Sequence, residues 1–323
     1  MENKEIMLSV QDLKKYFNTP TGVLHAVDGV SFDIPKGTTL GVVGESGCGK
    51  STLGRTVLHL HKMTSGKIMF NGKDISNINK QEFHELRKEM QIIFQDPFSS
   101  IDPRMSVKQL IAEPLKIFKL AKSKEEIDKK VSEVMDIVGL APRLADSYAH
   151  ELDGGRRQRI GIGRAIILDP SFIVCDEPVS ALDVSIQAQI LNLMQDLQKD
   201  RNLTYIFITH NLSVVKHISD DIMVMYLGCA VEKATSKELF QHQYHPYTKA
   251  LISAIPRVNL DDKSKRIPIK GELVSPIDPK DQCRFAPRCE YATDVCFGST
   301  PKLEEVEPGH FVACHRVREL NNL

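Results

Sequence analysis

Gly44-Glu45-Ser46-Gly47-Cys48-Gly49-Lys50-Ser51-Thr52 decides the fold. The run fits G-x-x-x-x-G-K-[ST]. It lies between Thr39-Leu40-Gly41-Val42-Val43, which reads as a short buried strand, and a helical segment from Lys50 through Leu60. Strand, glycine-rich loop and helix in that order make one βα unit of a parallel sheet. The residue types suit phosphate. Glycines let backbone N–H groups wrap the phosphate oxygens and the helix N-terminus adds its dipole. Lys50 reaches the β- and γ-phosphates, and the Ser51 hydroxyl can ligate Mg²⁺. Gly44, Ser46, Gly47, Cys48, Gly49, Lys50, Ser51 and Thr52 are therefore candidate nucleotide-binding residues. The bland alternative, an ordinary glycine-rich turn, is set aside by the full match in a strand-to-helix context.

Upstream, Leu8 to Ile34 alternates apolar and polar residues with turn signals between, as in Val30-Ser31-Phe32-Asp33-Ile34, which predicts a small antiparallel sheet. Downstream, Glu82 to Glu89 and Lys124 to Val138 carry helical periodicity, and strand signals are sparse from about Pro97 to Glu151. A helical subdomain is expected over about 97–160. Strand-like runs return at Phe172–Cys175, Tyr205–Ile208 and Ile222–Met225, with a helix from about Ile186 to Lys199 between the first two. Beyond roughly Pro256 the chain turns rich in Pro, Lys, Asp and Cys. The expected division is a nucleotide-binding region over 1–250 and a C-terminal extension over 251–323, in an α/β fold.

Bulk properties narrow the class. The 323 residues are 41% hydrophobic and 26% charged, with Lys+Arg and Asp+Glu both at 42, so no net charge favours a grip on nucleic acid. Met1 to Glu5 lacks the apolar core of a signal peptide, and no stretch approaches the roughly 18 apolar residues that span a bilayer. A membrane role is expected to come through a partner. The seven cysteines, scattered at Cys48, Cys175 and Cys229 and then clustered, do not form a secreted disulfide framework, which points to a reducing compartment.

A phosphate loop serves many NTPases, so the residues after it discriminate. Phe172-Ile173-Val174-Cys175-Asp176-Glu177 is a buried strand ending in two carboxylates. Asp176 suits a Mg²⁺ ligand, directly or through water, and Glu177 suits polarising the attacking water. Gln95, after Ile92-Ile93-Phe94, can contact Mg²⁺ or that water, and His210, after Phe207-Ile208-Thr209, can touch the γ-phosphate. Ser180-Ala181-Leu182-Asp183 completes the set. Singly, a solvated acid pair, a lone Gln and a structural His are common; their order and spacing give them weight.

Together these segments resemble the ABC ATPases. Phosphate loop, Gln95 loop, signature region, carboxylate strand, Asp183 loop and His210 switch follow that family's order over about Leu8 to Tyr247. The resemblance implies a P-loop cassette with an antiparallel β subdomain and a helical subdomain. It also implies ATP with Mg²⁺ held by Ser51, Gln95 and Asp176, and hydrolysis by Glu177, His210 and Gln95. Two cassettes would face head to tail, each ATP lying between one phosphate loop and the other's signature, with Asp183 beside it. Phe17 falls where the family places an aromatic residue that stacks on adenine. Tyr16 is the alternative, and a plain sheet-core role for Phe17 stays open.

The signature departs from the family's usual Leu-Ser-Gly-Gly-Gln. Here it reads Leu152-Asp153-Gly154-Gly155-Arg156, followed by the familiar Arg157-Gln158-Arg159. The usual serine donates to the γ-phosphate, whereas an ionised aspartate only accepts. Arg156 offers a compensating charge. Gly163 stands where alanine is usual before Arg164-Ala165.

Tyr244-His245-Pro246-Tyr247-Thr248-Lys249-Ala250-Leu251, Gly271-Glu272 and Cys283-Arg284-Phe285-Ala286-Pro287-Arg288-Cys289 are similar to the C-terminal extension of oligopeptide and dipeptide importer ATPases. Leu53-Gly54-Arg55-Thr56 and Met90-Gln91-Ile92-Ile93-Phe94-Gln95-Asp96-Pro97 resemble one of that family's two paralogous subunits. The resemblance implies ATP-driven peptide uptake from the cytoplasmic face of the membrane. Its partners would be a paralogous ATPase, two transmembrane permeases and a solute-binding protein. Import of nickel or a metal chelate is the rival within transport, and a soluble ABC ATPase or a cysteine-based redox sensor the rival outside it.

Cys283, Cys289, Cys296 and Cys314, with gaps of five, six and seventeen residues, supply enough thiolates for a tetrahedral or cuboidal metal site. The tight C-x₂₋₄-C pairs usual for zinc are absent. Some members of the resembled family carry a [4Fe–4S] cluster on this cysteine pattern. Zinc and unligated thiols remain the alternatives, with His310 and His315 as spare ligands.

Overall fold

The computed structural model describes residues 5–96, 101–255, 266–272 and 274–323. The expected start of the helical subdomain near 97 and the composition change near Pro256 lie outside the described residues. The chain opens with β1 (Ile6–Thr19), β2 (Gly22–Pro35), β3 (Thr39–Val43), α1 (Lys50–Val57), β4 (Ser65–Phe70) and β5 (Lys73–Asp74). It continues through α2 (Lys80–Glu89), β6 (Met90–Ile93), α3 (Val107–Ile117), α4 (Lys124–Ile137), α5 (Gly154–Ile166), β7 (Phe172–Asp176), α6 (Val184–Arg201) and β8 (Thr204–Ile208). It closes with α7 (Leu212–Ile218), β9 (Asp221–Tyr226), β10 (Cys229–Thr235), α8 (Ser236–Gln241), α9 (Pro246–Ser253), β11 (Glu304–Glu307), β12 (His310–Val312) and α10 (Val317–Asn321). No helix among the described residues is long and apolar enough to cross a membrane.

Two compact units emerge, one from 1–35, 39–76 and 207–323, the other from 36–38 and 77–206. In the first, the alternation of Leu8 to Ile34 forms the antiparallel sheet β2-β1-β4-β5, with Val10 opposite Phe32 and Ile68. Its second layer runs β11-β12-β10-β9-β3. Every residue of β3 is buried, and it pairs in parallel with β9, Leu40 against Asp221 through Val43 against Val224. Burial on both faces explains the continuous apolar text of these strands. Leu227 and Gly228 both take positive φ, the turn a two-residue hairpin needs, and join β9 to β10.

The extension is part of this unit's core. Val43, Val215, Val224, Tyr226, Tyr247 and Phe285 share one buried cluster, with Cys283 and Cys289 packed against it. Strands β11 and β12 add to β10, Glu232 lying opposite Val312. The sequence pattern missed β10 to β12 because their short, charge-bearing text lacks clean alternation.

In the second unit β6 runs parallel to β7, Met90 against Phe172 through Ile93 against Cys175, with β8 next in order. Helices α3 and α4 fall within the span expected to be helical, and α5 begins at Gly154. Asp183 caps α6 at Val184 and Asn202 closes it in the left-handed region, so the helix outruns the expected Ile186–Lys199 at both ends. Helix α1 instead stops at Val57, short of the expected Leu60. His59 takes φ 55° and the Leu60 N–H turns back to the Arg55 carbonyl, a left-handed closure that apolar periodicity does not reveal.

Asp28 ties the N-terminal sheet to the extension. Its carboxylate accepts from Tyr16 Oη at 2.5 Å, meets His25 Nδ1 at 2.9 Å and pairs with Arg284, which also donates to the Leu227 carbonyl at 2.7 Å. Burial pushes this carboxyl up, but the bonds from Tyr16 and His25 and the charge of Arg284 outweigh it and hold it below the usual range. A depressed folded-state pKa stabilises above the unfolded value and loses that contribution as pH falls through the folded one. Asp28→Asn is therefore expected to cost roughly 2 kcal/mol near neutral pH. The difference from wild type should narrow below the ordinary carboxylate value of about 4, as read by denaturant unfolding at stepped pH.

Candidate functional site

The phosphate loop belongs to the first unit and is shaped by backbone approach. Gly44 and Gly49 take φ of 152° and 102°. A Cβ on Gly44 would come within 2.2 Å of the Met225 carbonyl oxygen, and one on Gly49 within 2.0 Å of that of Ala26. Only glycine fits either place. Helix α1 begins at Gly49 with no side-chain cap, so its first turn presents N–H groups and the positive end of the helix dipole to the loop. Lys50 is buried, and its ammonium donates to the carbonyls of Gly44 and Glu45, both at 2.9 Å. The Gly228 N–H binds the Cys48 carbonyl at 2.9 Å, and burial pushes the Cys48 thiol up, so this cysteine packs as a neutral side chain.

The C-terminal extension braces the same loop. The Glu45 N–H donates to Tyr247 Oη at 2.9 Å. Arg288 grips the Glu45 carboxylate through Nη1 at 2.7 Å and Nη2 at 3.3 Å, and reaches Tyr226 Oη at 3.3 Å. The carboxylate raises Arg288 further above its ordinary value. Sequence reasoning missed Glu45, Tyr247 and Arg288 as partners: Glu45 and Arg288 are 243 residues apart, and no local pattern encodes such a pair.

His210, exposed, follows β8 where the Thr209 N–H is bonded to the Val42 carbonyl at 3.2 Å. The two aromatic candidates separate. Tyr16 stacks on His25, ring centroids 3.9 Å apart, and spends its hydroxyl on Asp28. Phe17 is half-buried, meets His61 edge-on at 5.5 Å and has the Lys15 ammonium 4.3 Å from its ring centre.

The second unit carries the carboxylates. Asp176 ends β7 and is 1% exposed. Glu177 follows with φ 48°, the left-handed region a residue other than glycine seldom occupies, and such strain gathers at functional positions. Gln95 Nε2 donates to Glu177 Oε2 at 3.1 Å, which joins two residues 82 positions apart in the chain.

Asp153 serves as the N-cap of α5, accepting from the Arg156 N–H at 2.8 Å, while Arg156 Nη1 lies 3.4 Å from its other oxygen. Gly154 is exposed, and a Cβ on Gly155 would come within 2.7 Å of Ile186. Asp183 caps α6 through the Ile186 N–H at 3.0 Å and accepts from Ser185 Oγ at 2.9 Å; these bonds, the backbone one foremost, hold its carboxyl low. A Cβ at Gly163 would sit 3.2 Å from Val134 and 3.5 Å from Ile111, so glycine relieves crowding where α5 meets α3 and α4.

All four extension cysteines are unbridged. Burial pushes the Cys283 thiol up to about 11, and the Cys289 and Cys314 thiols up as well. Backbone N–H groups of Phe285 and Ala286 offset this at Cys283, of Tyr291 at Cys289 and of Arg316 at Cys314. Charge on a neighbouring cysteine pushes these three further up: Cys296 and Cys314 act on Cys283, Cys296 on Cys289, and Cys289 and Cys296 on Cys314. Among the described residues no three of these sulfurs lie within 4.8 Å of one another. One zinc ion at about 2.3 Å per bond would draw them closer than that. The spare histidines bond elsewhere, His310 to Glu232 and His315 to the Ser299 carbonyl.

Comparison with known proteins agrees with this geometry. A family model described as ABC transporter matches residues 27–180, and one described as oligopeptide/dipeptide transporter, C-terminal region, matches 231–296. The oligopeptide transport ATP-binding protein AppF of Bacillus subtilis is 50% identical, covering 97% of this chain and 98% of that protein. OppF of the same organism is 49% identical, covering 96% of each. Among solved structures, the ATP-binding cassette MJ0796, a dimer in a post-hydrolysis state bound to ADP and Pi, superposes with a TM-score of 0.66. It is 26% identical and covers 71% of this chain and 99% of that one. A phosphate loop of this shape, a Gln–Glu pair beside a buried aspartate and near-full-length identity of one half together place the chain in the oligopeptide/dipeptide transporter family of ABC ATPases.

Proposed function

We propose that this chain is the ATP-binding and ATP-hydrolysing subunit of an ABC importer that energises uptake of oligopeptides or dipeptides. The observation that carries the reading is the brace between Arg288 and Glu45, which makes the peptide-transporter-type extension a structural part of the phosphate loop. Its relatives' names supply the transported class.

In this mechanism the α1 N-terminus and Lys50 bind the phosphates, Lys50 exchanging its contacts with loop carbonyls for the γ-phosphate. Ser51, Gln95 and Asp176 would hold Mg²⁺, which would supply charge neutralisation at the phosphates. Glu177, oriented by Gln95, accepts the proton of the attacking water, and exposed His210 donates to the γ-phosphate. Phe17 stacks on adenine, since the Tyr16 ring is already committed to His25. Two cassettes close on two nucleotides, and ATP acts through its higher affinity for the closed state. The second cassette is a paralogue. Two permeases anchor the pair at the cytoplasmic face, and a solute-binding protein delivers the peptide.

Asp153 makes the two nucleotide sites unequal. In a head-to-tail pair it faces the ATP on the partner's phosphate loop. A carboxylate 4 Å from a phosphate oxygen is opposed by about 1 kcal/mol in water and about 4 kcal/mol at an effective dielectric of 20. Arg156, at 3.4 Å, relieves part of this.

Cys283, Cys289, Cys296 and Cys314 would hold a [4Fe–4S] cluster. Supporting this are four unbridged cysteines, backbone N–H groups on three of them and a spacing too open for one zinc. Bound there, the group would join the extension's loops and offer a one-electron redox centre beside Arg288.

Glu177→Gln is expected to leave ATP binding intact and lower hydrolysis at this chain's own site on the order of a hundredfold or more, read by single turnover with the partner's site disabled. An unchanged rate would remove Glu177 as the base. Asp153→Ser is expected to raise the rate at the partner's site while leaving the site built on Lys50 unaffected, measured with each phosphate-loop lysine replaced in turn. Anaerobically purified protein is expected to contain iron and sulfide in near-equal amounts, both lost in Cys289→Ser; stoichiometric zinc without iron would reassign the site.

A further inference from the structure

A second group of ligand-type side chains lies in the first unit, none of them in the phosphate loop or the cysteine set. Glu238 of α8, Glu307 at the end of β11 and His310 at the start of β12 place one ligand atom each within 4.8 Å of the others. The setting of His310 gives the group its meaning. Its side chain is fully buried, and so is Glu232 of β10. His310 Nε2 lies 2.8 Å from Glu232 Oε1. The same carboxylate accepts from the Tyr244 N–H at 2.7 Å and the His245 N–H at 3.1 Å, so it is fixed in place as an acceptor. A carboxylate that already accepts from two backbone N–H groups meets Nε2 as an acceptor, so Nε2 carries the proton and Nδ1 is the ring atom left to act as a ligand in the neutral tautomer. That Nδ1 is buried and has no hydrogen-bond partner. Folded proteins seldom leave such an atom unsatisfied without a water, an ion or a ligand to meet it.

The two carboxylates are oriented as well. Glu307 Oε2 accepts from Tyr244 Oη at 2.7 Å, and Glu238 Oε1 lies 2.6 Å from His242 Nδ1. The acidity of the surroundings shows on Tyr244: burial, the bond to Glu307 and the charges of Glu307, Glu238 and Glu232 push its hydroxyl up to about 12. A histidine whose second nitrogen donates to a buried carboxylate is the usual setting of a metal-ligating imidazole, because the carboxylate sets the tautomer and raises the ring's basicity. One imidazole and two carboxylates suit a borderline divalent ion, with a position left for water.

We propose that His310, Glu238 and Glu307 bind one divalent cation of the zinc class through His310 Nδ1 and a carboxylate oxygen from each glutamate, with Glu232 as the positioning residue. The ion would link α8 to the β11–β12 hairpin and, through Glu232, to β10, pinning the extension to the strand it pairs with.

The test is titration of chelator-treated, nucleotide-free full-length protein with Co²⁺. Thiolate ligation gives intense sulfur-to-metal charge-transfer absorption, whereas nitrogen and oxygen ligation gives only ligand-field bands, so the cysteine set is told apart in the same spectrum. One Co²⁺ per chain is expected with ligand-field bands and no thiolate absorption. Cys289→Ser should retain it, and Glu238→Gln and Glu307→Gln should weaken it at least tenfold. Zn²⁺ should displace it and raise the unfolding temperature of wild type but not of Glu307→Gln. The two glutamate variants are partly exposed isosteres, and unchanged ATP binding serves as the check that they fold. Co²⁺ bound only with thiolate absorption, no thiolate-free Co²⁺ in wild type, or wild-type affinity in both glutamate variants would overturn the proposal.

Discussion

The nucleotide half of the first unit depends on one steric constraint: the phosphate loop is threaded between two backbone carbonyls that leave no room for a Cβ. Ala26 of β2 closes on Gly49, and Met225 of β9 closes on Gly44. Each contact involves a strand of a different sheet. The loop's curvature is therefore enforced from outside as well as by its own hydrogen bonds. That enforcement lets α1 begin without a side-chain cap and keeps its first N–H groups turned toward the phosphates. It also lets a buried lysine rest on carbonyls of the loop it serves, ready to exchange them for a more strongly charged acceptor.

The extension takes part in this arrangement. Phe285 packs in the cluster that holds Val43 and Tyr247, and Arg288 and Tyr247 fix the side chain and the N–H of Glu45. Arg288 immediately precedes Cys289, so one member of the cysteine set is one peptide bond from a residue that grips the phosphate loop. A second anchor, Arg284 on Asp28, sits at the other end of the same segment.

The departures from the family's usual text have different physical origins. Gly163 answers packing, because Val134 and Ile111 crowd the place an alanine methyl would occupy. Asp153 keeps the capping role that a serine would also fill, but it adds charge where a donor is usual, and Arg156 one turn on provides the offset. The first change concerns packing, while the second alters the charge at the start of α5.

Much of the nucleotide site was legible because its determinants are local. A strand, a loop of obligatory glycines and a helix announce themselves within fourteen residues, Thr39 to Thr52, and Asp176 and Glu177 stand at the end of an apolar run. The antiparallel alternation of Leu8 to Ile34 and the helical periods of 82–89 and 124–138 were readable for the same reason, since burial on one face imposes a period. Other features carry no period. The left-handed closure at His59, the Gln95–Glu177 bond, the clasp of Arg288 on Glu45 and the burial of Glu232 beneath His310 join residues whose neighbours in sequence look like ordinary surface text. By itself the sequence determined the family of the chain and the order of the elements around the phosphate loop and the carboxylate strand. Tertiary structure alone decided which carboxylate each arginine and histidine meets, because such pairs are selected by the low-dielectric space that packing creates around them and not by spacing along the chain.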